Sequence, residues 1–177
     1  WGGDVATGLQ GFFSTTTNIP NNVAPADGAG SATTFASKIA SPDLIIRDVN
    51  DLINDVVVDT KGVHRANYVM MPIAQHALLS STPRSSTSDT TILQFIQNNH
   101  PSVTFEAIHE MAGKGAGGTD VMVAMERSND VLEVEMPQPF EQFPVQDRNL
   151  EFIVPCHARF GGVSIRYPLA INIVRGI

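Results

Sequence analysis

Cysteine is almost absent from this 177-residue chain, where Cys156 stands alone. One cysteine excludes an internal disulfide framework and fits a reducing compartment. Within an apolar stretch it reads as a small buried hydrophobe. Lysine is scarce, three residues against eight arginines, and these cations are scattered singly through a chain of net charge −7. No basic stripe exists to neutralise a phosphate backbone, which argues against sequence-specific nucleic-acid binding. No apolar run approaches the ~20 residues of a bilayer span, and the opening residues do not read as a signal peptide. The first residue is Trp1, not Met, which leads to the expectation of a further segment upstream.

What is present is enough for a core. Hydrophobic residues make up 42% and the mean hydropathy is +0.01, so a packed interior is expected and wholesale disorder is not. The length suits one domain, or two small ones sharing a core.

Residues 1–40 are rich in Gly, Thr, Asn and Ala and read as an extended entry segment with short strands. Ser41-Pro42-Asp43 then carries a helix start: a cap, a proline at the first helical position and an acid for the dipole. Ile45, Val49, Leu52, Ile53 and Val56 follow at helical spacing, and Lys61-Gly62 marks the end. Arg47, Asp48, Asn54 and Asp55 are assigned to a solvated face. Tyr68-Val69-Met70-Met71 reads as a buried strand, Pro72 as the start of a helix through Leu79, and residues 80–88 as a polar linker. A third helix is expected over residues 89–98, burying Ile92, Phe95 and Ile96 and stopping before His100-Pro101.

The period then changes to two. Val103, Phe105 and Ala107 alternate with polar residues, and Val121 to Met125 is apolar on both faces, as a central strand would be. Leu132-Glu133-Val134-Glu135-Met136 alternates, and residues 137–149 read as a loop holding three prolines. Leu150, Phe152, Val154, Cys156, Ala158 and Phe160 share one face of an expected long strand. Gly161-Gly162 reads as its hairpin turn. Pro168 argues for a bend or an edge position before Ile171 and Ile173. The fold class is α+β, with about three helices and a mostly antiparallel sheet.

No catalytic constellation emerges. Gly113-Lys114-Gly115-Ala116-Gly117-Gly118 has the glycines of a phosphate loop, but Gly-Lys-Gly leading into an apolar strand is not the Gly-Lys-Ser/Thr-helix arrangement that chemistry needs. His109-Glu110 starts a zincin pattern and fails at Gly113, where the second histidine should stand. Pro155-Cys156-His157 lacks the further cysteine of a zinc deaminase. On a strand, Cys156 and His157 point to opposite faces and cannot pair. Glu133 and Glu135 share a strand face, as a general acid/base pair would, but an exposed strand shows the same pattern for solubility. No cofactor or metal is expected.

The chain resembles the major capsid proteins of tailed bacteriophages with the Hong Kong ninety-seven-type fold. The resemblance is carried by Gly8-Leu9-Gln10-Gly11-Phe12, Asp43-Leu44-Ile45-Ile46, Tyr68-Val69-Met70-Met71-Pro72, Gly117-Gly118-Thr119-Asp120, Glu133-Val134-Glu135-Met136-Pro137 and Phe140-Glu141-Gln142. It ends in Glu151-Phe152-Ile153-Val154-Pro155-Cys156-His157-Ala158-Arg159-Phe160-Gly161-Gly162-Val163 and Tyr167-Pro168-Leu169-Ala170. These motifs keep their order over nearly the whole chain, and the last stretch is similar to prophage capsid proteins.

The resemblance implies an axial domain with part of a peripheral domain in residues 41–177. The N-terminal arm, extended loop and spine helix would lie upstream. It implies a non-enzymatic, self-assembling subunit of an icosahedral virion head, built of pentamers and hexamers and assembled in the bacterial cytoplasm. Scaffolding and portal proteins are its implied partners; no membrane is. The alternatives are an encapsulin-like compartment shell and, from another class, an anion- or nucleotide-binding hydrolase using the glycine loop. A shell subunit needs apolar residues that only assembly covers. Phe12 and Phe13 among glycines, and Phe140 and Phe143 among prolines, are the candidate subunit-interface residues unless they fold back on their own core. Lys114 joins them because its loop is expected near a symmetry axis.

Overall fold

A proline at the first helical position and an acid in the first turn set the start of the longest helix, Pro42–Asp59. In this computed structural model, which describes residues 3–4, 9–10, 12–13, 18–85 and 87–177, it is the second of four helices. Ser41 stands at the cap, but its hydroxyl makes no capping bond. The helix ends where Lys61 and Gly62 turn to positive φ, and the Gly62 N–H donates back to the Val57 carbonyl.

The elements in chain order are β1 (Gly3–Asp4), β2 (Leu9–Gln10), β3 (Asn21–Val23), α1 (Phe35–Lys38), α2 (Pro42–Asp59), β4 (Tyr68–Met71), α3 (Ile73–Ser81), α4 (Ile92–Asn99), β5 (Thr104–Ala107) and β6 (Val121–Met125). There follow β7 (Leu132–Glu135), β8 (Gln138–Gln142), β9 (Gln146–Arg148), β10 (Glu151–Ile153), β11 (Cys156–Arg159), β12 (Gly162–Ile165) and β13 (Ile171–Arg175). The entry segment is thus not all extended, since α1 lies in it. Helix α4 begins at Ile92, later than its apolar spacing suggests, because Thr91 and Gln94 form a reciprocal capping box. Helix α3 runs two residues past Leu79, into the expected linker.

Five strands make the central sheet in the order β3-β13-β6-β4-β5. The inner pairs, β13–β6 and β6–β4, are antiparallel; the outer ones, β3–β13 and β4–β5, are parallel. β6 sits in the middle and all five of its residues are buried. Alternation sends Met122 and Ala124, with Val69, Met71 and Val174, under the helices to meet Phe35, Ile45, Val49, Leu52, Ile53, Val56, Leu79, Ile92 and Ile96. Val121, Val123 and Met125, with Tyr68, Met70, Ile171 and Ile173, face a second core closed by Phe12, Met111, Val131 and Ala170. Burying the five-residue stripe of α2 contributes on the order of 10 kcal/mol before entropy. Pro168 makes the bend that the sequence suggested: it opens a short 3-10 turn ahead of β13, which is an inner strand and not an edge.

One assignment is corrected here. Asp48 lies inside, only 4% exposed, and Lys38 at the end of α1 is 1% exposed. The Lys38 ammonium bonds Asp48 and lies 3.0 Å from Asp27, while Arg47 donates to the other oxygen of Asp48 at 2.6 Å. A buried charge is tolerated when its lone pairs and protons are matched in this way. Hydrogen bonds from Arg47, then Lys38, hold the Asp27 carboxyl below its ordinary value. Across α2, Asp55 accepts from the amides of Asn172, which is fully buried in β13, and of Asn22, next to β13 in β3. Burial pushes the Asp55 carboxyl up; the Asp59 and Asp51 charges add to this, and the amide bonds oppose it.

Leu52 is fully buried beneath the sheet. Leu52→Ala is expected to cost about 2–5 kcal/mol in denaturant unfolding. A change below about 0.5 kcal/mol would contradict the packing of α2.

Candidate assembly surface

Past β6 the chain leaves the sheet. β7 pairs with β12, β8 with β11 and β9 with β10, all antiparallel, and the pairings nest: Leu132↔Ile165, Glu141↔His157, Arg148↔Glu151. Together they form one two-stranded ribbon spanning residues 132–165. Its tip is the pair Asn149-Leu150, both at positive φ (52° and 67°), the backbone of a two-residue type I′ turn. Asparagine accepts that conformation readily; leucine there is uncommon.

Proline divides the ribbon. A proline has no N–H for a ladder, and Pro137, Pro144 and Pro155 fall between the three paired sections. Gly161 lies opposite Pro137, where a Cβ would come within 3.1 Å of the Glu135 side chain. The Gly161 N–H donates to the Glu135 carbonyl, and the Phe143 N–H to that of Pro155, so pairing continues across the breaks. The register shifts between His157 and Arg159, which adds a bulge.

The ribbon corrects three readings of the sequence. Residues 137–149, expected as a loop, hold strands β8 and β9. The long strand expected from Leu150 to Phe160 is two short strands, because Pro155 interrupts it. Gly161-Gly162 is no hairpin turn, since β12 pairs with β7. The apolar side chains expected to share one face of that strand are uncovered: Leu150 is fully exposed, Phe152 79% and Phe160 54%. Cys156, expected buried, is exposed as well.

The proposed interface residues fall in separate places. Phe140 lies in β8 and is 68% exposed; Phe143 follows β8 and stacks on the His157 ring at 4.8 Å. His157 also lies 3.4 Å from Glu141 and against Gln138. Phe12 and Phe13 form an edge-to-face pair with 5.3 Å between ring centres, and Phe12 is buried in the second core of its own chain. Lys114 is exposed on the glycine loop. Residues 113–118 use their amides internally: Gly113 donates to Asp120, Gly115 to the Thr119 carbonyl and Gly118 to that of Gly115. Asp120 also accepts from Gln75 of α3 at 3.1 Å. Three of the loop's six amides are thus engaged within the chain, and β6, not the helix of a phosphate loop, follows it. Leu150, Phe152 and Phe160 were missed as surface residues. Pro155 was the available signal, since a proline demotes a strand to an edge.

Among the described residues, no group of three or more His, Cys, Asp or Glu is gathered to hold a metal. Among them, too, no helix is long and apolar enough to cross a membrane.

The model of one protein family, described as major capsid protein, matches residues 1–177. The chain belongs to the major capsid protein family. That is a family of structural, non-enzymatic proteins, which disposes of the hydrolase alternative. The capsid of Myoviridae phage XM1 has the same fold, with a TM-score of 0.73 at 20% identity over 91% of this chain and 53% of that one. A virus-like particle from Pyrococcus furiosus matches with a TM-score of 0.54 at 10% identity, over 88% of this chain and 56% of that one. Mycobacterium phage Ogopogo matches at 0.52 and 13% identity, over 81% of this chain and 52% of that one. No curated protein matches the chain. The capsid chain spans about half the length of the solved chains it matches. Their likeness is one of fold, and it agrees with the α+β class and mostly antiparallel strands read from the sequence.

An exposed ribbon face makes a direct prediction about the isolated chain. Phe140→Ser and Phe152→Ser should each change its unfolding free energy by less than about 0.5 kcal/mol, as exposed sites do. A loss above about 2 kcal/mol in a denaturant melt would mean that these rings pack within the chain.

Proposed function

We propose that this chain is the shell-forming part of a phage or prophage head subunit, which self-assembles around a genome. The observation that carries the proposal is the ribbon. A free two-stranded hairpin is marginal in water, and this one displays Phe140, Phe152, Phe160 and Leu150, which a lone subunit leaves wet. A capsid supplies the missing cover through its neighbouring copies. Phe140 and Phe143 are then contact residues on the ribbon, and Lys114 is a contact residue on a loop beside a symmetry axis. Phe12 serves mainly to close the second core of its own chain, with Phe13 at the margin.

Residues 41–177 act as the axial domain together with the ribbon of a peripheral domain, and residues 1–40 as the entry to it. Pentamers and hexamers are the building units, scaffolding and portal proteins the assembly partners, and the bacterial cytoplasm the place of assembly. A net charge of −7 suits a container that must release its nucleic acid. The compartment-shell reading keeps one supporting observation, the shared fold of the Pyrococcus furiosus virus-like particle. The contents of purified particles separate the two: nucleic acid for a head, enzyme for a compartment.

Assembly itself is the test. Many modest contacts multiplied over copies hold a shell together. Light scattering should find particles of megadalton mass for the protein expressed in full, and a monomer or small ring for the 177-residue chain alone. Failure of the full protein to assemble under any condition would overturn the proposal.

A further inference from the structure

Between α2 and β13 one buried amide is only half matched. Asn172 is fully buried in β13, and its Nδ2 donates to Asp55 Oδ2 at 3.2 Å. Its carbonyl oxygen, equally buried, has no donor among the described residues. Such a carbonyl is uncommon in a folded interior and costly to leave. An ionised Asp55 has no hydrogen to offer it. Turning the amide over does not help, since its carbonyl would then face the carboxylate and its NH₂ would be left without an acceptor. A protonated carboxyl matches both halves: it accepts from the amide N–H and donates to the amide carbonyl. Asn22 of β3 donates to the same oxygen, Oδ2, at 3.3 Å, which leaves Oδ1 to carry the proton.

The groups packed around this carboxyl favour the same state. Burial pushes it up, and the anions Asp59 and Asp51 of its own helix add to this, while the amide bonds oppose it. β3 brings Asn22, β13 brings Asn172 and Val174, β6 brings Met122 and Ala124, and the turn Pro168–Ala170 brings no charge. Arg175 alternates to the other face of β13. The cations along α2 are engaged elsewhere: Lys38 and Arg47 with Asp48 and Asp27, and Arg84 near Asp43. Lys61 and His64 lie past the helix end, where His64 pairs with Glu126. His100, after α4, bonds Asn50, and burial lowers its pKa. A groove of about 160 Å³, lined by Asn22, Asp51, Asp55 and Val174, gives the medium access to the carboxyl.

We propose that Asp55 and Asn172 form a proton-operated clamp: in acid, Asp55 takes up a proton on Oδ1, donates it to the Asn172 carbonyl and so fastens α2 to β13. Asn22 remains on Oδ2, which draws the edge strand β3 into the same clamp. A carboxyl whose pKa rises on folding contributes stability that is complete below its unfolded value and is lost as the pH climbs through its folded value. Asp27, held down by Arg47 and Lys38, acts in the opposite sense, so the clamp is read by changing position 55 alone. The clamp is independent of the shell reading.

Carbon NMR of the 177-residue chain, labelled at the Asp and Asn side chains, tests it without any substitution. The Asp55 carboxyl should titrate above the ordinary aspartate value of about 3.9, and the Asn172 side-chain carbonyl should shift with the same midpoint. Denaturant melts then compare the chain with Asp55→Asn, whose amide can both donate to and accept from Asn172 at any pH. At neutral pH Asp55→Asn should lower the unfolding constant about tenfold, as matching one buried acceptor would, and the gain should shrink as the pH is lowered towards about 4. An Asp55 that titrates at or below the ordinary value overturns the clamp, as does an Asn172 carbonyl that ignores the titration. An Asp55→Asn chain less stable than its parent at neutral pH overturns it too, since the carboxylate would then be the form the fold prefers.

Discussion

Each strand of a ribbon has one hydrogen-bonding neighbour, and a ribbon has two faces with nothing behind either. That constraint governs residues 132–165. In the sheet, β6 has a partner on each side, helices beneath it and the second core above it, and every one of its side chains is dry. The same chain then spends 34 residues, 132 through 165, on a structure with none of that support. Among the described residues its anchorage is at the base, where Val131 is buried, Leu132 and Ile165 pack on the second core, and Arg166 pairs with Glu133. The proposed role as a shell subunit would give this arrangement its sense, with neighbouring copies covering the ribbon.

The sheet has to be self-sufficient for the ribbon to be free. Helix α2 covers one face with its apolar stripe, and the matched charges of Lys38, Asp48, Asp27 and Arg47 fix α1 against it. On its other side, Asp55 ties α2 to the centre of β13 through Asn172. Stripping Lys38 of both Asp27 and Asp48, or Asp48 of both Lys38 and Arg47, would strand a buried charge, a loss of about 3–5 kcal/mol in comparable sites. This domain gives the ribbon a rigid base from which to project.

Elements whose side chains follow one period and end inside this chain were legible in the sequence. The α2 stripe, the buried strand β4, the two-faced β6 and the bend at Pro168 all read correctly, and so did the family resemblance. Residues 150–160 did not. Alternation tells which side chains share a face, but not which molecule covers that face. A core strand and an outward ribbon give the same pattern, and only Pro155 argued for the second. Asp48 was misplaced for a different reason. It lies three residues after Ile45 and four before Leu52, so the helical period already put it beside the buried stripe. Its polarity outweighed its position, and its partner Lys38, ten residues away in another helix, could not be found by spacing.

Amide hydrogen exchange, measured on the isolated chain and on assembled particles, reads the central claim most directly. Amides in β6 and β13 should be strongly protected in both states, because their bonds open only with the core. Amides in β8, β9, β10 and β11 should exchange quickly in the isolated chain and become protected in the particle, where neighbours cover the ribbon. Ribbon amides protected in the isolated chain as strongly as those of β6 would contradict the account, since the ribbon would then need no partner.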